Sequence, residues 1–234
     1  MRAVNRYAFA RLNRVSKRRD TVGLDEGDSA QADEETHLDL SGVAFEDPLA
    51  LIKYLKKLKS VGLLRLKGTN VKQQLLVELV GHLSEKTFRV RRLDLSSLSL
   101  VDDQMCEELG KLFKTDSSVR ALVLDGTEVT EVGLSELIES ASRNTIPYSL
   151  SLAKCKISYR DDDEMGWKAL TDPLSRNCSI RTLDLIGNVI PEALLAPFRE
   201  GRGTVELHFD LVNFQLARIR SGMAVAELTG RVLV

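Results

Sequence analysis

The 234-residue chain predicts an α/β solenoid, a stack of short parallel strands each followed by a helix. Three observations predict it. One phrase recurs six times, as LDLSGVAF, LRLKGTNV, LDLSSLSL, LVLDGTEV, LSLAKCKI and LDLIGNVI, each reading apolar-x-apolar, two residues, a small or polar residue, one more, then an apolar residue. The copies start at Leu38, Leu64, Leu93, Leu122, Leu150 and Leu183, so their spacings are 26, 29, 29, 28 and 33 residues, and a degenerate seventh, LHFDLVNF, starts at Leu207. Between the copies, apolar residues recur at helical intervals. Self-similarity at a near-constant period marks an array in which each unit buries its apolar face only against its neighbours.

Taken in order, each copy supplies a strand. The helices follow as apolar stripes: Leu49, Ile52, Leu55 and Leu58; Leu75, Leu76, Leu79 and Leu83; Met105, Leu109 and Leu112; Leu134, Leu137, Ile138 and Ala141; Met165, Ala169 and Leu170; Leu194, Leu195 and Phe198. Pro48 and Pro191 suit first turns, and Asp102 or Asp103 is placed to cap the third helix. The fifth repeat is longer, and its extra residues around SYRDDDEMG read as a surface insertion between strand and helix. The last stretch, residues 215–234, breaks the pattern. It reads as a C-terminal cap, because a solenoid end otherwise exposes core.

These motifs resemble leucine-rich repeats of the ribonuclease-inhibitor-like class, L-x-x-L-x-L-x-x-N/C-x-L followed by a helix, over residues 36–214. Leu95, Leu124, Leu152 and Leu185 fill the second leucine site, and Val90, Val119 and Ile180 the apolar site before the first. Cys155 and Asn188 fill the Asn/Cys site, with Thr69 and Thr127 as short polar stand-ins. Val43 and Leu98 depart from the pattern there, and Leu98 implies a locally imperfect ladder. The resemblance implies a right-handed curved solenoid of about seven repeats, strands on the concave side and helices on the convex side. Leu93, Leu95, Leu122, Leu124, Leu183 and Leu185 are expected to be almost fully buried.

Charge is uneven along the chain. Residues 1–19 hold Arg2, Arg6, Arg11, Arg14, Lys17, Arg18 and Arg19 and no acid. Residues 20–35 hold seven acids and no Lys or Arg, which leaves 26 basic and 27 acidic residues in the remainder. Such blocks mark a tail, so residues 1–35 read as a disordered arm. Val4, Ala8, Leu12 and Val15 share one helical face, and an Arg-rich, acid-free amphipathic start resembles a mitochondrial presequence over residues 1–19. The same residues alternatively form a basic arm for RNA or another anion. Cys106, Cys155 and Cys178 form no C-x-x-C, which suits buried thiols in a reducing compartment.

No nucleotide, metalloprotease or hydrolase motif is present. His37, His82 and His208 stand apart in sequence, and the run Asp161–Glu164 reads as a solvated loop leading into a helix. No catalytic residue, metal site or cofactor is expected. A binding surface is expected on the concave face: the strand middles Asp39, Arg65, Asp94, Val123, Ser151, Asp184 and His208, with Lys67, Arg92 and Asp125 beside them. For Asp39, Asp94 and Asp184 the simpler reading is that L-D-L is the ordinary way to write this strand.

The expected function is a non-catalytic protein–protein interaction module: an adaptor, assembly factor or structural subunit of a larger complex, mitochondrial (matrix) or cytoplasmic. Nucleic acid is expected only through the arm, which gives one alternative, a mitochondrial ribonucleoprotein component. Relatives of the repeat class imply another, a GTPase-activating or cytoskeleton-capping regulator. No stretch of the sequence is apolar for long enough to span a bilayer.

Overall fold

The computed structural model describes residues 36–45, 48–115, 117–142, 144, 146–159, 174, 179–190, 206–208 and 231–232. Strands and helices alternate through its first half: β1 (His37–Asp39), α1 (Pro48–Leu58), β2 (Ser60–Arg65), α2 (Gln73–Ser84), β3 (Arg89–Asp94), α3 (Asp103–Lys114), β4 (Ala121–Val123), α4 (Glu131–Ala141) and β5 (Tyr148–Ser151). Then come β6 (Ile180–Asp184), β7 (Glu206–His208) and β8 (Arg231–Val232). All eight strands join one sheet in chain order. β1 to β7 pair in parallel, and β8 closes the series antiparallel to β7.

The register follows the leucine spacing. Leu38, Leu64, Leu93, Leu122, Leu150, Leu183 and Leu207 are successive cross-strand partners. A one-residue slip would turn every leucine to the other face, so burial of this face fixes the register. Leu93, Leu95, Leu122, Leu124, Leu183 and Leu185 are all buried, and with Val90, Val119 and Ile180 they belong to a single core shared with the helices. Burying a leucine stabilises by about 1.5–3 kcal/mol, so a repeated pair is a strong determinant of the stack.

Each repeat leaves its strand through the same turn. The residue four after the first leucine is left-handed in all six copies: Gly42, Gly68, Ser97, Gly126, Lys154 and Gly187, with φ between 55° (Lys154) and 79° (Gly187). There the backbone N–H of Gly42, Ser97, Gly126 and Lys154 donates to a carbonyl of the next repeat, Lys67, Asp125, Ala153 and Ile186 respectively. The turn thereby continues the sheet ladder while the chain swings toward its helix. The recurrent glycine is a signal of the sequence that the leucine template alone does not use.

The third and fourth helices are bound together through one carboxylate. Asp102 caps α3, accepting from the Met105 N–H at 3.0 Å. Its neighbour Asp103 reaches instead to α4, where Oδ1 accepts from the Thr130 and Gly133 N–H groups and Oδ2 from the Thr130 hydroxyl. A Cβ at Gly133 would stand 2.5 Å from Asp103 Oδ1 and 2.9 Å from Cys106 Sγ, so only glycine admits this approach.

One expectation needs correction. Leu49 is 48% exposed, not part of the buried face of α1, where Leu51, Ile52 and Leu55 fill the core. At Leu98 the polar side chain of the turn is absent, as its sequence implies, while the backbone bonds continue: Leu95 N–H and Ser97 N–H donate to the Val123 and Asp125 carbonyls at 2.8 Å, and Leu98 is itself buried. The expected helices beyond Met165, the insertion after Ser158 and the arm fall outside the described residues. So does the expected cap, except for β8.

Candidate functional site

The predicted binding row exists as a line of cross-strand partners. Asp39, Arg65, Asp94, Val123, Ser151, Asp184 and His208 lie opposite one another from β1 to β7. Alternation along a strand sends the first six to the face opposite the leucines. Their environments differ. Asp39 is exposed, Arg65, Ser151 and Asp184 are half-buried, and Asp94 and Val123 are buried at 6% and 7% exposure. Lys67 and Arg92 are exposed and Asp125 is half-buried.

The acids of the row are committed to the scaffold. Asp94 Oδ1 accepts from the Ser96 N–H at 3.1 Å and the Ser96 hydroxyl at 2.6 Å. Asp39 does the same with Ser41, at 2.9 and 2.6 Å. Asp184 Oδ1 accepts from the Ile186 N–H at 3.0 Å. These are Asx turns, in which a side chain satisfies the backbone two residues on. Asp125 works between strands, accepting from the Ser151 hydroxyl and the Ala153 N–H.

Arg65 connects three strands. Its Nε donates to Asp94 Oδ2 at 2.7 Å and its Nη1 to Asp39 Oδ2 at 3.2 Å. Burial pushes the Asp94 carboxyl up, but the Ser96 hydroxyl and the Arg65 guanidinium outweigh it and hold the group below its ordinary value. The same balance lowers Asp39, with burial opposed by Ser41 and Arg65. The hydrogen bond to Asp94, against the cost of burial, raises Arg65 further.

Behind the sheet runs a polar spine at the Asn/Cys site. Asn188 Nδ2 donates to the carbonyls of Leu152 and Leu185, and Cys155 Sγ to that of Leu124. Thr69 and Thr127 each close onto their own repeat, at Leu66 and Leu124. Burial raises both the Cys106 and Cys155 thiols, so neither is poised as a thiolate nucleophile. Among the described residues no three His, Cys, Asp or Glu side chains group in a way that could hold a metal ion. No helix described is long and apolar enough to cross a membrane.

A second feature lies outside the repeated phrase. At the edge where the strands begin, Arg89, Arg91 and Arg120 line a cavity of about 460 Å³ with Ser60, Val61, Ser118 and Pro147.

No protein-family model and no curated protein matches this sequence. Among solved structures the chain is similar to leiomodin-1 actin-binding site 2, at 15% sequence identity and a TM-score of 0.41, over 66% of this chain and 84% of that one.

Proposed function

We propose that the chain is a non-catalytic protein–protein interaction module, an adaptor, assembly factor or structural subunit of a larger complex, built as a right-handed leucine-rich-repeat solenoid of the ribonuclease-inhibitor-like class. About seven repeats would run over residues 36–214, and residues 215–234 would cap them. The observation that supports this is the continuous registered sheet face from β1 to β7, whose row of polar side chains is held in place by its own turns. A surface whose side chains are already fixed loses little entropy when a partner docks. Exposed Lys67 and Arg92 are the contacts most open to a partner on this face.

The test is affinity purification of the tagged full chain, beside a variant carrying Lys67→Ala and Arg92→Ala. A discrete set of proteins should come down with the natural chain and be depleted with the variant. A chain that captures nothing, or that accelerates GTP hydrolysis by an added GTPase, contradicts the reading.

The basic block of residues 1–19 supports a second role, location or recruitment. Changing Arg2, Arg6, Arg11 and Arg14 to Gln should abolish organelle import if the block is a presequence. If it is a binding arm, location should hold while a salt-sensitive interaction weakens. No change in either would remove both roles.

A further inference from the structure

We infer that the acidic segment of residues 20–35 docks on the lysine face of α1, an intramolecular contact on the first helix of the stack. The contact goes beyond the interaction-module reading and does not depend on it.

α1 buries Leu51, Ile52 and Leu55 in the core and leaves Lys53, Lys56 and Lys57 exposed. Leu49, 48% exposed, lies on the same outward face, four residues before Lys53. Lys59 follows the helix in a left-handed conformation, φ 61°, and is exposed as well. Among the described residues no ion pair engages any of these four lysines. Lys56 and Lys57 stand in the last turn, where the helix dipole favours a cation. Lys53 stands a turn further in, three before Lys56 and four before Lys57, spacings at which like charges repel.

The other helices do not repeat this face. A buried pair three apart, Ile52 and Leu55 in α1, recurs as Val80 and Leu83, Leu109 and Leu112, and Ile138 and Ala141. Counted from that pair, Gly81, Gly110 and Glu139 stand where α1 has Lys53. Ser84, Phe113 and Ser142 stand where it has Lys56. Only Lys57 has cationic counterparts, Lys114 and Arg143, as a helix end favours. Lys53 and Lys56 are therefore peculiar to the first helix, and the repeat has no use for them.

The occupant is set by what precedes β1. Residues 20–35 hold Asp20, Asp25, Glu26, Asp28, Asp33, Glu34 and Glu35 and no Lys or Arg. The chain enters the fold at Thr36, whose carbonyl accepts from the Gly62 N–H at 2.9 Å. Gly62 is three residues past Lys59, so this entry lies by the end of α1 that carries Lys56 and Lys57. α1 has 11 residues and is about 16 Å long. Ten residues of extended chain reach about 33 Å. Acids 33–35 thus meet Lys57 and Lys59, acids 25–28 meet Lys53 and Lys56, and Leu24 covers Leu49. Single surface pairs are weak. The tether makes their formation intramolecular and so raises the effective concentration. With its acids on α1, the segment leaves the seven cations of residues 1–19 unneutralised and available for location or recruitment.

The experiment is carbodiimide cross-linking of the full chain, which joins a carboxylate to a lysine amine where the two are in contact. Mass spectrometry identifies the linked peptides. Links should join residues 20–35 to Lys53, Lys56, Lys57 or Lys59, and should fade as salt rises. Lys53→Gln with Lys56→Gln should lower the yield of links to Lys57 and Lys59 by about threefold or more, as two surface pairs are lost. Lys67→Gln with Lys72→Gln, at exposed lysines beside the row and at the start of α2, should leave that yield unchanged. Gln keeps the helix propensity of Lys, and a thermal melt checks that each variant is folded. Lysine acetylation of the natural chain gives the same answer without a variant. Lys53 and Lys56 should react more slowly than Lys67 and Lys72 at low salt, and alike at high salt.

Links from residues 20–35 that reach only Lys17 would show the two charged blocks paired with each other and would overturn the proposal. So would the absence of links to α1, or acetylation of Lys53 and Lys56 as fast as that of Lys67 at low salt. Links that join two chains, seen in a mixture of light and heavy-isotope protein, would also overturn it. None of these outcomes touches the capture of partners, so the interaction-module reading stands or falls separately.

Discussion

The row across the sheet and the edge where its strands begin are both charged, yet their charges differ in how far the repeat commits them. On the row, Asp39, Asp94 and Asp184 each fasten the turn that follows their own strand, and Arg65 ties two of them together. At the edge, Arg89, Arg91 and Arg120 line one cavity with Ser60, Val61, Ser118 and Pro147. An acid that recurs with the repeat is part of how the repeat is built. Arg91 and Arg120 are themselves cross-strand neighbours, and Arg120 is fixed on the Ser117 and Val119 carbonyls, whereas Arg89 falls where the neighbouring repeats carry Ser60 and Ser118 and lies outside that requirement.

The scaffold beneath both regions is the first thing to break. Leu124→Ala, at a fully buried position of the fourth repeat, should cost about 2–5 kcal/mol in chemical denaturation. The loss should spread to the flanking repeats, because each buries its face only on the next. A loss below about 1 kcal/mol would mean that the leucine pair is not the core determinant.

A smaller effect separates the row by pH. Asp94 and Asp39 titrate below their ordinary value of 3.8 in the folded chain. A depressed carboxyl contributes stability that is present above its unfolded value and is lost as pH falls through the folded one. Unfolding free energy of the natural chain should therefore decline below about pH 4. Asp94→Asn should flatten part of that decline, and Asp39 should retain the rest. An unchanged slope would detach Asp94 from the ion-pair cluster.

The smallest effect tests the shared turn. Lys154 holds a left-handed conformation, φ 55°, at a position where four of the six copies have glycine. Lys154→Gly should stabilise by a few tenths to about 1 kcal/mol, because relief of the strain exceeds the added freedom of the unfolded chain. Ser97→Gly should behave alike. Destabilisation of both would show that their side chains contribute contacts outweighing the strain.

Strand order, parallel pairing and register were legible because a leucine pair at a near-constant spacing has only one arrangement that buries all its members. Asp102 as a cap was legible for the local reason that an acid preceding a helical stripe can accept from its first N–H groups. Other features were not legible from that pattern. Leu49 matches the helical stripe, but helical phase within a short segment leaves the side it faces to tertiary packing. Asp103 binds Thr130 and Gly133 of the next helix, a contact set by how closely two helices approach rather than by any local spacing. The glycines at 42, 68, 126 and 187 were present in the sequence and recur with the repeat, but a template built on apolar residues does not weigh them. The candidate row could be placed by register, whereas the burial of Asp94 and Val123 within it depends on neighbours across the sheet. Arg89, Arg91 and Arg120 lie outside the repeated phrase and 31 residues apart from first to last, so only the stacking of repeats brings them into one cavity.

The contrast between row and edge is tested most directly by one comparison, the unfolding free energies of Asp94→Asn and Arg89→Gln at neutral pH. Asp94→Asn should lose about 1–3 kcal/mol, as a buried acceptor of charged hydrogen bonds is replaced. Arg89→Gln should stay within about 0.5 kcal/mol of the natural chain, as an exposed side chain outside the scaffold. Equal losses, or a larger loss at Arg89, would show that the edge arginines belong to the scaffold and would contradict the division of roles.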